Sequence, residues 1–465
     1  MKKVLITLFF LHVLVVSFFS VTSCDTQQTY TFRYETEPEI RELVTGAKPP
    51  YPDMNVIVIA DTHYLAPELV TEGSALTEYL HQDRKMLLEG PEILDATLKD
   101  MQEKEAYHSA DFLIVCGDMT KDGEYESHRQ VASVLDAFAR DHVDVFVVPG
   151  NHDIANGESY RYSGDSKQRV ANVSPEAYRQ IYQNLGYRNA VYNDPASLSY
   201  IVEPVSGVWL FAMDSCKYGE NVENEHPVTG GAFNQETLVW LEDKLIEALQ
   251  KDKAVLGVMH HGVLEHYSSN AKYYDDYLLD DFEPVAKMFA AYGMRFVFTG
   301  HFHAQDITAK QWISDIPNQF IVDIETGSLV TFPVPWRFIN VTDETMDITS
   351  HSVSSIESHP DDFSTYAKNY IQEGMTYIIK DKLSEYGVPE QDQDLLVPQI
   401  ARAYVAHLQG DEQVPPVIID TTGIGIMGHI ALLVQGDLVW GWYHDLGVPD
   451  NNVTIDTATG WCSSE

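Results

Sequence analysis

Basic residues are scarce in this sequence of 465 residues: 30 Lys and Arg stand against 70 Asp and Glu, for a net charge of −40. A protein that binds the phosphate backbone of a nucleic acid needs a basic surface, and so does one that docks by charge on an anionic membrane. The shortage of positive charge argues against both functions. We therefore expect no nucleic-acid polymer as a partner.

Cysteine is also rare, with four in the whole chain. Cys116 and Cys216 lie on or beside apolar runs, where a thiol behaves as a small buried hydrophobe. Cys24 belongs to the N-terminal segment, and the other three cysteines, Cys116, Cys216 and Cys462, allow at most one disulfide bridge. No disulfide framework is therefore predicted. The apolar share of 44% and the charged share of 22% are those of a globular protein, and the length allows one large domain with a smaller one.

The N-terminus has the pattern of an export signal. Two lysines precede an almost wholly apolar run over 4–21, and small residues then precede Cys24. This order resembles the lipobox of bacterial lipoproteins, which implies cleavage before Cys24, a lipid on its sulfur, and a membrane-anchored domain in the periplasm or on the cell exterior. An uncleaved anchor helix is the alternative, since about 18 apolar residues almost span a bilayer. We predict a lipoprotein signal peptide over 1–23 and a polar tether over 24–51.

From residue 52 onward, short apolar runs alternate with helical patterns. The run 56–60 is continuous and made of β-formers, as in a strand that is covered on both faces. Ser174 and Asn234 stand where helix caps are preferred. Further runs of the same kind occupy 112–116, 143–148, 198–202, 208–213, 254–259, 296–298 and 320–324. This alternation predicts an α/β fold over 52–354, with helices on both faces of a sheet.

The pattern changes after about residue 350. Residues 363–383 and 391–409 have the periodicity of helices, whereas 424–443 is apolar, contains glycine and favours neither helix nor strand. We predict a small, mainly helical C-terminal domain over 355–465.

Polar residues of one chemical kind follow five of the predicted strands. These clusters are Asp61-Thr62-His63, Gly117-Asp118, Gly150-Asn151-His152-Asp153, His260-His261-Gly262 and Gly300-His301-Phe302-His303. Ligands of open α/β sheets bind outside the carboxyl ends of the strands, so connectivity brings all five clusters to one site. Asp, Asn and His supply oxygen and nitrogen ligands for Mn, Fe, Zn or Co. Asp118, with two oxygens, is suited to bridge two divalent ions about 3.5–4 Å apart, an arrangement that serves phosphoryl transfer.

The five clusters, in this order, resemble those of the calcineurin-like metallophosphoesterase superfamily over about residues 52–350. The resemblance implies a four-layer β-sandwich of two mixed sheets flanked by helices, which refines the open-sheet prediction. It implies metal ligands as follows: Asp61, His63 and His303 for one ion, Asn151, His260 and His301 for the other, and Asp118 as the bridge. Gly262 stands where many relatives have proline, and we prefer His260 to His261 because it precedes that position by two residues.

The resemblance also implies roles in catalysis. His152 would not be a ligand but would reach the departing oxygen, with Asp153 orienting its imidazole, while a hydroxide shared by the two ions attacks phosphorus in line. Asn156, Arg161 and Tyr162, which follow the catalytic loop, are candidates for contact with the ester, and a solvated loop is the alternative for them. Tyr64, next to His63, is a candidate for the wall of the substrate pocket.

Other polar residues have less specific interpretations. His128 is predicted to be a surface residue of its helix, and His226 and His266 to flank loops at the edge of the site. The pairs Asp275-Asp276 and Asp280-Asp281 are predicted to form a solvated acidic loop that repels polyanions.

The strings DTHYLAPEL, GDMTKDGEYESH and VVPGNHDIANG resemble exported bacterial proteins allied to class III cyclic-nucleotide phosphodiesterases. We expect a hydrolase of phosphoric esters, most simply a phosphodiesterase on small diesters such as cyclic nucleotides. A phosphomonoesterase or nucleotidase on the same two-metal core is the alternative. A non-catalytic metal-binding lipoprotein should have lost Asp118 or His152, and both are present; a solute-binding lipoprotein has no use for the five clusters. No feature of the sequence bears on oligomeric state.

Overall fold

The structure is a computed structural model that describes residues 30–104, 108–140 and 143–463. The predicted signal peptide over 1–23 and Cys24 lie outside these residues. Within the described ranges, no helix combines the length and the apolar character needed to cross a membrane.

Seventeen strands occur in the described part of the chain. They are β1 (Met54–Ile59), β2 (Val70–Thr71), β3 (Phe112–Val115), β4 (Asp144–Val147), β5 (Tyr160–Ser163), β6 (Ser166–Arg169), β7 (Tyr192–Asn193), β8 (Tyr200–Val202), β9 (Val208–Ala212), β10 (Ala254–Val258), β11 (Met294–Thr299), β12 (Asp306–Gln311), β13 (Phe320–Glu325), β14 (Pro335–Val341), β15 (Thr345–Ser352), β16 (Asn452–Asp456) and β17 (Cys462–Ser463).

Twelve α-helices accompany them within the same described ranges. They are α1 (Arg33–Thr36), α2 (Pro38–Thr45), α3 (Ser74–Gln82), α4 (Gly90–Glu103), α5 (Tyr125–Ala139), α6 (Pro175–Ile181), α7 (Gln235–Gln250), α8 (Asn270–Tyr273), α9 (Phe282–Tyr292), α10 (Phe363–Glu385), α11 (Glu390–Gln409) and α12 (Ile426–Gly441). Short 3₁₀ helices cover Pro67–Leu69, Tyr187–Asn189, Tyr218–Glu220 and Asp275–Tyr277. The side chains of Ser174 and Asn234 accept backbone N–H groups at the starts of α6 and α7, as predicted caps should.

Two seven-stranded sheets form the centre of the molecule. Their orders are β17-β16-β15-β14-β1-β3-β4 and β12-β13-β11-β10-β9-β8-β7, and β2-β5-β6 form a small third sheet. Both large sheets are mixed: β1 runs parallel to β3 and antiparallel to β14, and β13 runs parallel to β11 and antiparallel to β12. Val56 and Val58 of the first sheet share one core with Leu256 and Phe298 of the second. The predicted sandwich of two mixed sheets is therefore confirmed, and the single open sheet is corrected.

This topology determines where the polar clusters lie. The parallel strands β1, β3 and β4 end together at one edge of the first sheet, and β10 and β11 end together in the second. Three of the five clusters thus come from one sheet and two from the other. The site lies between two facing sheets, because each sheet supplies its own group of carboxyl ends.

The predicted tether over 24–51 is wrong for its described part. Residues 33–36 and 38–45 are the helices α1 and α2, and their apolar side chains are buried in the core around the second sheet. These side chains, with one neighbour, are Phe32, Tyr34, Ile40 and Val44. The backbone N–H of Arg33 donates to Glu242 Oε1 of α7. The apolar side chains of this otherwise polar segment therefore pack α1 and α2 against the domain.

The helical C-terminal region is confirmed. Helices α10, α11 and α12 share a core with Tyr267 and Phe302. The apolar stretch 424–443, whose pattern was ambiguous, forms α12 for most of its length. The end of the region does not stay helical: β16 pairs with β15 and extends the first sheet. The last described residues thus complete the sheet that carries Asp61 and Asp118.

Candidate metal centre

The backbone at the strand ends turns sharply to aim the polar side chains. Five predicted ligands have positive φ angles, and these are Asp61 (53°), His63 (37°), Asp118 (45°), His301 (79°) and His303 (72°). Such conformations cost energy in non-glycine residues and gather at functional sites. A Cβ at Gly150 would lie 2.1 Å from Asp118 Oδ1, and one at Gly300 would lie 2.5 Å from Asp61 Oδ2. Glycine at these two positions therefore makes room for the carboxylates.

The first group of ligand atoms comes from Asp61, His63, Asp118 and His303. One atom of each lies within 4.8 Å of the others. The Nε2 atoms of His63 and His303 are 3.1 Å apart, Asp118 Oδ2 is 3.4 Å from His63 Nε2, and Asp61 Oδ1 is 3.5 Å from His303 Nε2. Apart from the partly exposed His303, these side chains are fully buried.

The second group consists of Asp118, His260 and His301, again with one atom of each within 4.8 Å. His260 Nε2 lies 3.5 Å from Asp118 Oδ2 and 3.1 Å from Asn151 Oδ1, which brings the predicted amide ligand to the same place. The same oxygen of Asp118 therefore faces both groups, while its Oδ1 accepts the backbone N–H of His152 at 2.9 Å.

His260, and not His261, faces the site. His260 Nδ1 lies 2.8 Å from the carbonyl oxygen of Cys116, which fixes the ring and turns Nε2 toward Asp118. The two nitrogens of His261 lie against Ser215 Oγ and the carbonyl oxygen of Thr229. The structure thus brings all seven predicted ligands together; their binding of metal remains a prediction.

The donor atoms fit a pair of metal ions. Two ligand atoms bound at about 2.1 Å to one ion at a near-tetrahedral angle lie about 3.4 Å apart, close to the spacings found. Asp61 Oδ1 is buried without a hydrogen-bond partner among the described residues. Burial is the main cause that keeps the pKa of His63 well below its usual value, and the charge of Lys85 is the second cause. The imidazole of His63 is therefore neutral and has a nitrogen lone pair available for a metal ion. Burial opposes the charge on His260, but Asp118 outweighs burial and raises the pKa of His260 to about 9. A bound metal ion would displace the proton that His260 then carries.

His152 lies beside the two groups, with a side chain that is 21% exposed. Its ring centroid is 5.1 Å from that of His63. Its Nδ1 is 2.7 Å from Asp122 Oδ1, so Nε2 is the nitrogen left for a ligand. Burial and Lys85 oppose protonation, but Asp118 and Asp122 outweigh them and raise the pKa of His152.

The predicted role of Asp153 in orienting His152 is wrong. Asp153 accepts the backbone N–H groups of Met119, Thr120 and Gly150, and so ties the loops after β3 and β4 together. Asp122 holds the imidazole instead. Its position in the loop, four residues after Asp118, is set by a turn that the motif pattern does not specify.

A cavity of about 490 Å³ opens above the two groups. Besides His152 and several of the predicted ligands, its lining includes the carboxylates of Glu78, Asp83, Glu158 and Asp165, the cations of Arg84, Lys85 and Lys167, and the aromatic rings of Tyr79, Tyr162, Tyr277 and Phe302. Lys85 Nζ lies 3.6 Å from Asp83 Oδ2, and the Lys85 side chain is 11% exposed. Sequence reasoning missed Arg84 and Lys85, whose only signal was a basic pair in a very acidic chain.

Of the four residues predicted to contact the ester or to line its pocket, the cavity lining includes only Tyr162. Tyr64 is buried and its hydroxyl donates to Gln130. Asn156 is buried and donates to the carbonyl oxygen of His152, which places it behind the loop. Arg161 is exposed on β5, where strand alternation turns it away from the face of Tyr162. The predictions for Tyr64, Asn156 and Arg161 are thus corrected.

Three other histidines were assigned positions from the sequence, and the structure places each of them in a different environment. His128 is fully buried, 2.8 Å from the Tyr182 hydroxyl and from the carbonyl oxygen of Asp153, so its predicted surface position is wrong. His226 is at the edge of the cavity, as predicted. His266 lies in a separate buried cluster, 2.8 Å from Asp306, so its predicted position at the edge of the site is wrong.

Comparisons with known proteins give a family model and several similar solved structures. The family model for calcineurin-like phosphoesterases matches residues 54–305. A dimetal phosphatase from Danio rerio is a similar solved structure (TM-score 0.43, 15% identity, 65% of this chain and 97% of that chain). So is vacuolar protein sorting 29 from Cryptosporidium parvum (TM-score 0.25, 9% identity, 65% of this chain and 92% of that chain). A comparison with curated proteins found no match.

The shared carboxylate predicts how metal content responds to substitution. Asp118→Asn removes the negative charge that faces both groups, so we expect the metal content of the purified protein to fall from about two ions per chain to one or fewer. Elemental analysis measures this. Asp165→Asn, an exposed carboxylate of the same cavity, is the matched control and should keep both ions. An Asp118→Asn protein that still holds two ions would contradict the assignment.

Proposed function

This chain belongs to the calcineurin-like phosphoesterase family, and from that premise we propose that it hydrolyses phosphoric esters, acting on small diesters such as cyclic nucleotides. The observation that carries the proposal is the pair of ligand groups that share Asp118 Oδ2 beneath a cavity with His152 in its lining. The donor set suits Mn, Fe or Zn.

Two divalent ions bound here would activate a water molecule and neutralise charge on the phosphate oxygens. The chain's own residues would do the rest. Asp122 holds Nδ1 of His152, and the carboxylates of Asp118 and Asp122 favour the protonated ring. His152 would then pass the proton on Nε2 to the departing oxygen and regain one from solvent, to which it is partly exposed.

The charges around the cavity favour diesters over polyanions. Lys85 lines the cavity, and its charge lowers the pKa of the ligand His63. Its ammonium group would donate a hydrogen bond to one phosphoryl oxygen. In the part of the lining away from the metal-ligand groups, carboxylates outnumber the cations and would repel a second or third phosphate that extended beyond the ions. Tyr162 and Tyr277 offer aromatic surface to the organic arms of the ester. A volume of about 490 Å³ admits a ligand of nucleotide size.

The role of His152 gives a direct test. His152→Ala should lower kcat by about 10²–10⁴ with metal content unchanged. Asp122→Asn should lower kcat less and move the alkaline limb of the pH–rate profile to lower pH, because the Asp122 carboxylate helps to raise the pKa of His152. Elemental analysis of each variant is the control. Activity of His152→Ala within about threefold of wild type would show that this role is wrong.

The substrate class is tested with bis-p-nitrophenyl phosphate and p-nitrophenyl phosphate in the presence of Mn²⁺. We expect faster turnover of the diester; a preference for the monoester would identify a phosphomonoesterase instead. Lys85→Met should lower kcat/KM for the diester by about 10–100-fold, the value of a charged hydrogen bond. Lys167→Met removes an exposed cation of the same cavity and should change it by less than about threefold.

We also propose that the chain is an exported bacterial lipoprotein anchored through Cys24, on the support of the lysines, the apolar run and the small residues that precede it. Cys24→Ser should move the protein from the detergent phase to the aqueous phase in Triton X-114 partition and abolish labelling by a lipid precursor. Cys462→Ser is the control. Unchanged partition and no lipid label in the wild type would support the uncleaved anchor.

A further inference from the structure

A separate group of carboxylates lies where the C-terminal region meets the second sheet. Asp306 is the first residue of β12, and Asp445 and Asp450 lie in the loop between α12 and β16. One oxygen of each lies within 4.8 Å of the others. Asp306 and Asp450 are each 1% exposed, and Asp445 is partly buried. Unlike the metal centre, this group contains no histidine or amide.

One carboxylate of the group has an unpartnered oxygen. Asp306 Oδ1 lies 2.8 Å from His266 Nδ1. Its Oδ2 is buried and has no hydrogen-bond partner in the described part of the chain. A buried, unpaired carboxylate oxygen is costly, and native structures satisfy such atoms with a donor, water or a cation.

The other two carboxylates accept hydrogen bonds from backbone N–H groups. Asp450 accepts the backbone N–H groups of Ile307 and Asp411, and Asp445 accepts that of Gly447. The buried guanidinium of Arg337 donates to the carbonyl oxygens of Asp450 and Glu325, and its charge acts on Asp450 and Asp306 without a hydrogen bond to either carboxylate. Within the described ranges, His266 is the one cationic side chain that pairs with any of the three.

The crowding of negative charge affects the pKa values of two members of the group. Burial and the charge of Asp306 raise the pKa of Asp445 to about 8 and that of Asp450 to about 10. Negative charges that oppose one another in this way are relieved either by protons or by a bound cation.

The loop is built to stay close to β12. A Cβ at Gly447 would lie 2.0 Å from the carbonyl oxygen of Ile307, so only glycine allows this approach. The N–H of Val448 donates to the same carbonyl at 3.4 Å. The backbone contacts thus present Asp445 and Asp450 to Asp306 as a prearranged set.

We propose that Asp306, Asp445 and Asp450 bind a Ca²⁺ ion that fastens the C-terminal region to the second sheet. Oxygen ligands alone select hard cations, and Ca²⁺ accepts irregular loop geometry with water completing its shell, whereas Mg²⁺ demands a near-ideal octahedron. Three carboxylates offset the charge of one divalent ion. The site is chemically distinct from the centre around Asp118 and does not depend on the proposed hydrolase activity.

The test uses the full-length protein in detergent, with Mn²⁺ at the metal centre and Ca²⁺ removed. Calorimetric titration with CaCl₂ should reveal one site per chain. About 5 mM Ca²⁺, above the dissociation constants of about 10⁻⁴–10⁻³ M of many extracellular sites, should raise the midpoint of thermal unfolding by about 2–3 °C.

Asp445→Asn is the diagnostic variant, because Asp445 is the least buried of the three and loses charge with little change of shape. It should weaken Ca²⁺ binding at least tenfold and remove the thermal shift. Without Ca²⁺ it should unfold at or above the wild-type temperature, since it relieves repulsion; a merely structural carboxylate would give a lower temperature.

Two controls complete the design. Asp437→Asn, an exposed carboxylate of α12 that pairs with Lys272, should keep the Ca²⁺ effect. Asp118→Asn should keep it too, because the metal centre is a different site. Absence of binding and of any shift in the wild type would overturn the proposal, and so would an Asp445→Asn protein with the full wild-type response.

Discussion

One buried carboxylate oxygen, Asp118 Oδ2, lies at the centre of the polar side chains that gather at the strand ends. His63, which follows a strand of the first sheet, and His260, which follows a strand of the second, approach this oxygen to 3.4 and 3.5 Å. Removing a carboxylate from water is expensive unless cations or donors surround it. The two sheets must therefore end at the same place, and the glycines and left-handed turns at the strand ends make that convergence possible.

The surroundings of His152 show how loops orient side chains that the strand ends bring together. The loop after β4 carries His152, but the loop after β3 supplies Asp122, the carboxylate that holds its imidazole. Asp153, adjacent in sequence to His152, turns inward and joins the backbones of the two loops. The prediction based on adjacency in sequence therefore chose the wrong partner for His152, because consecutive residues in a tight turn point in different directions.

The two candidate ion sites differ in chemistry and in what they connect. The centre at Asp118 has histidine nitrogens and lies under an open cavity, which suits exchangeable transition ions and a substrate. The group at Asp306 has only carboxylate oxygens and is mostly buried between β12 and the C-terminal loop, which suits a structural ion. The C-terminal region also contributes Tyr404, whose hydroxyl accepts from Arg84 at the cavity. The C-terminal region therefore also contacts the lining of the cavity.

Much of this protein was determined by local sequence pattern. Continuous apolar runs specified the strands whose ends carry the polar clusters, though not β14 and β15 of the first sheet. Helical periodicity specified α10 and α11, and the five polar clusters identified seven side chains that converge. Each of these is a property of neighbouring residues, since periodicity and strand-end position are read within one element. Tertiary structure decided the rest: that α1 and α2 dock instead of forming a tether, that Asp122 replaces Asp153, that Lys85 reaches the site and that Asp306, Asp445 and Asp450 meet. Those outcomes depend on contacts between residues that are distant in the chain, whose energies arise only when packing removes the side chains from water.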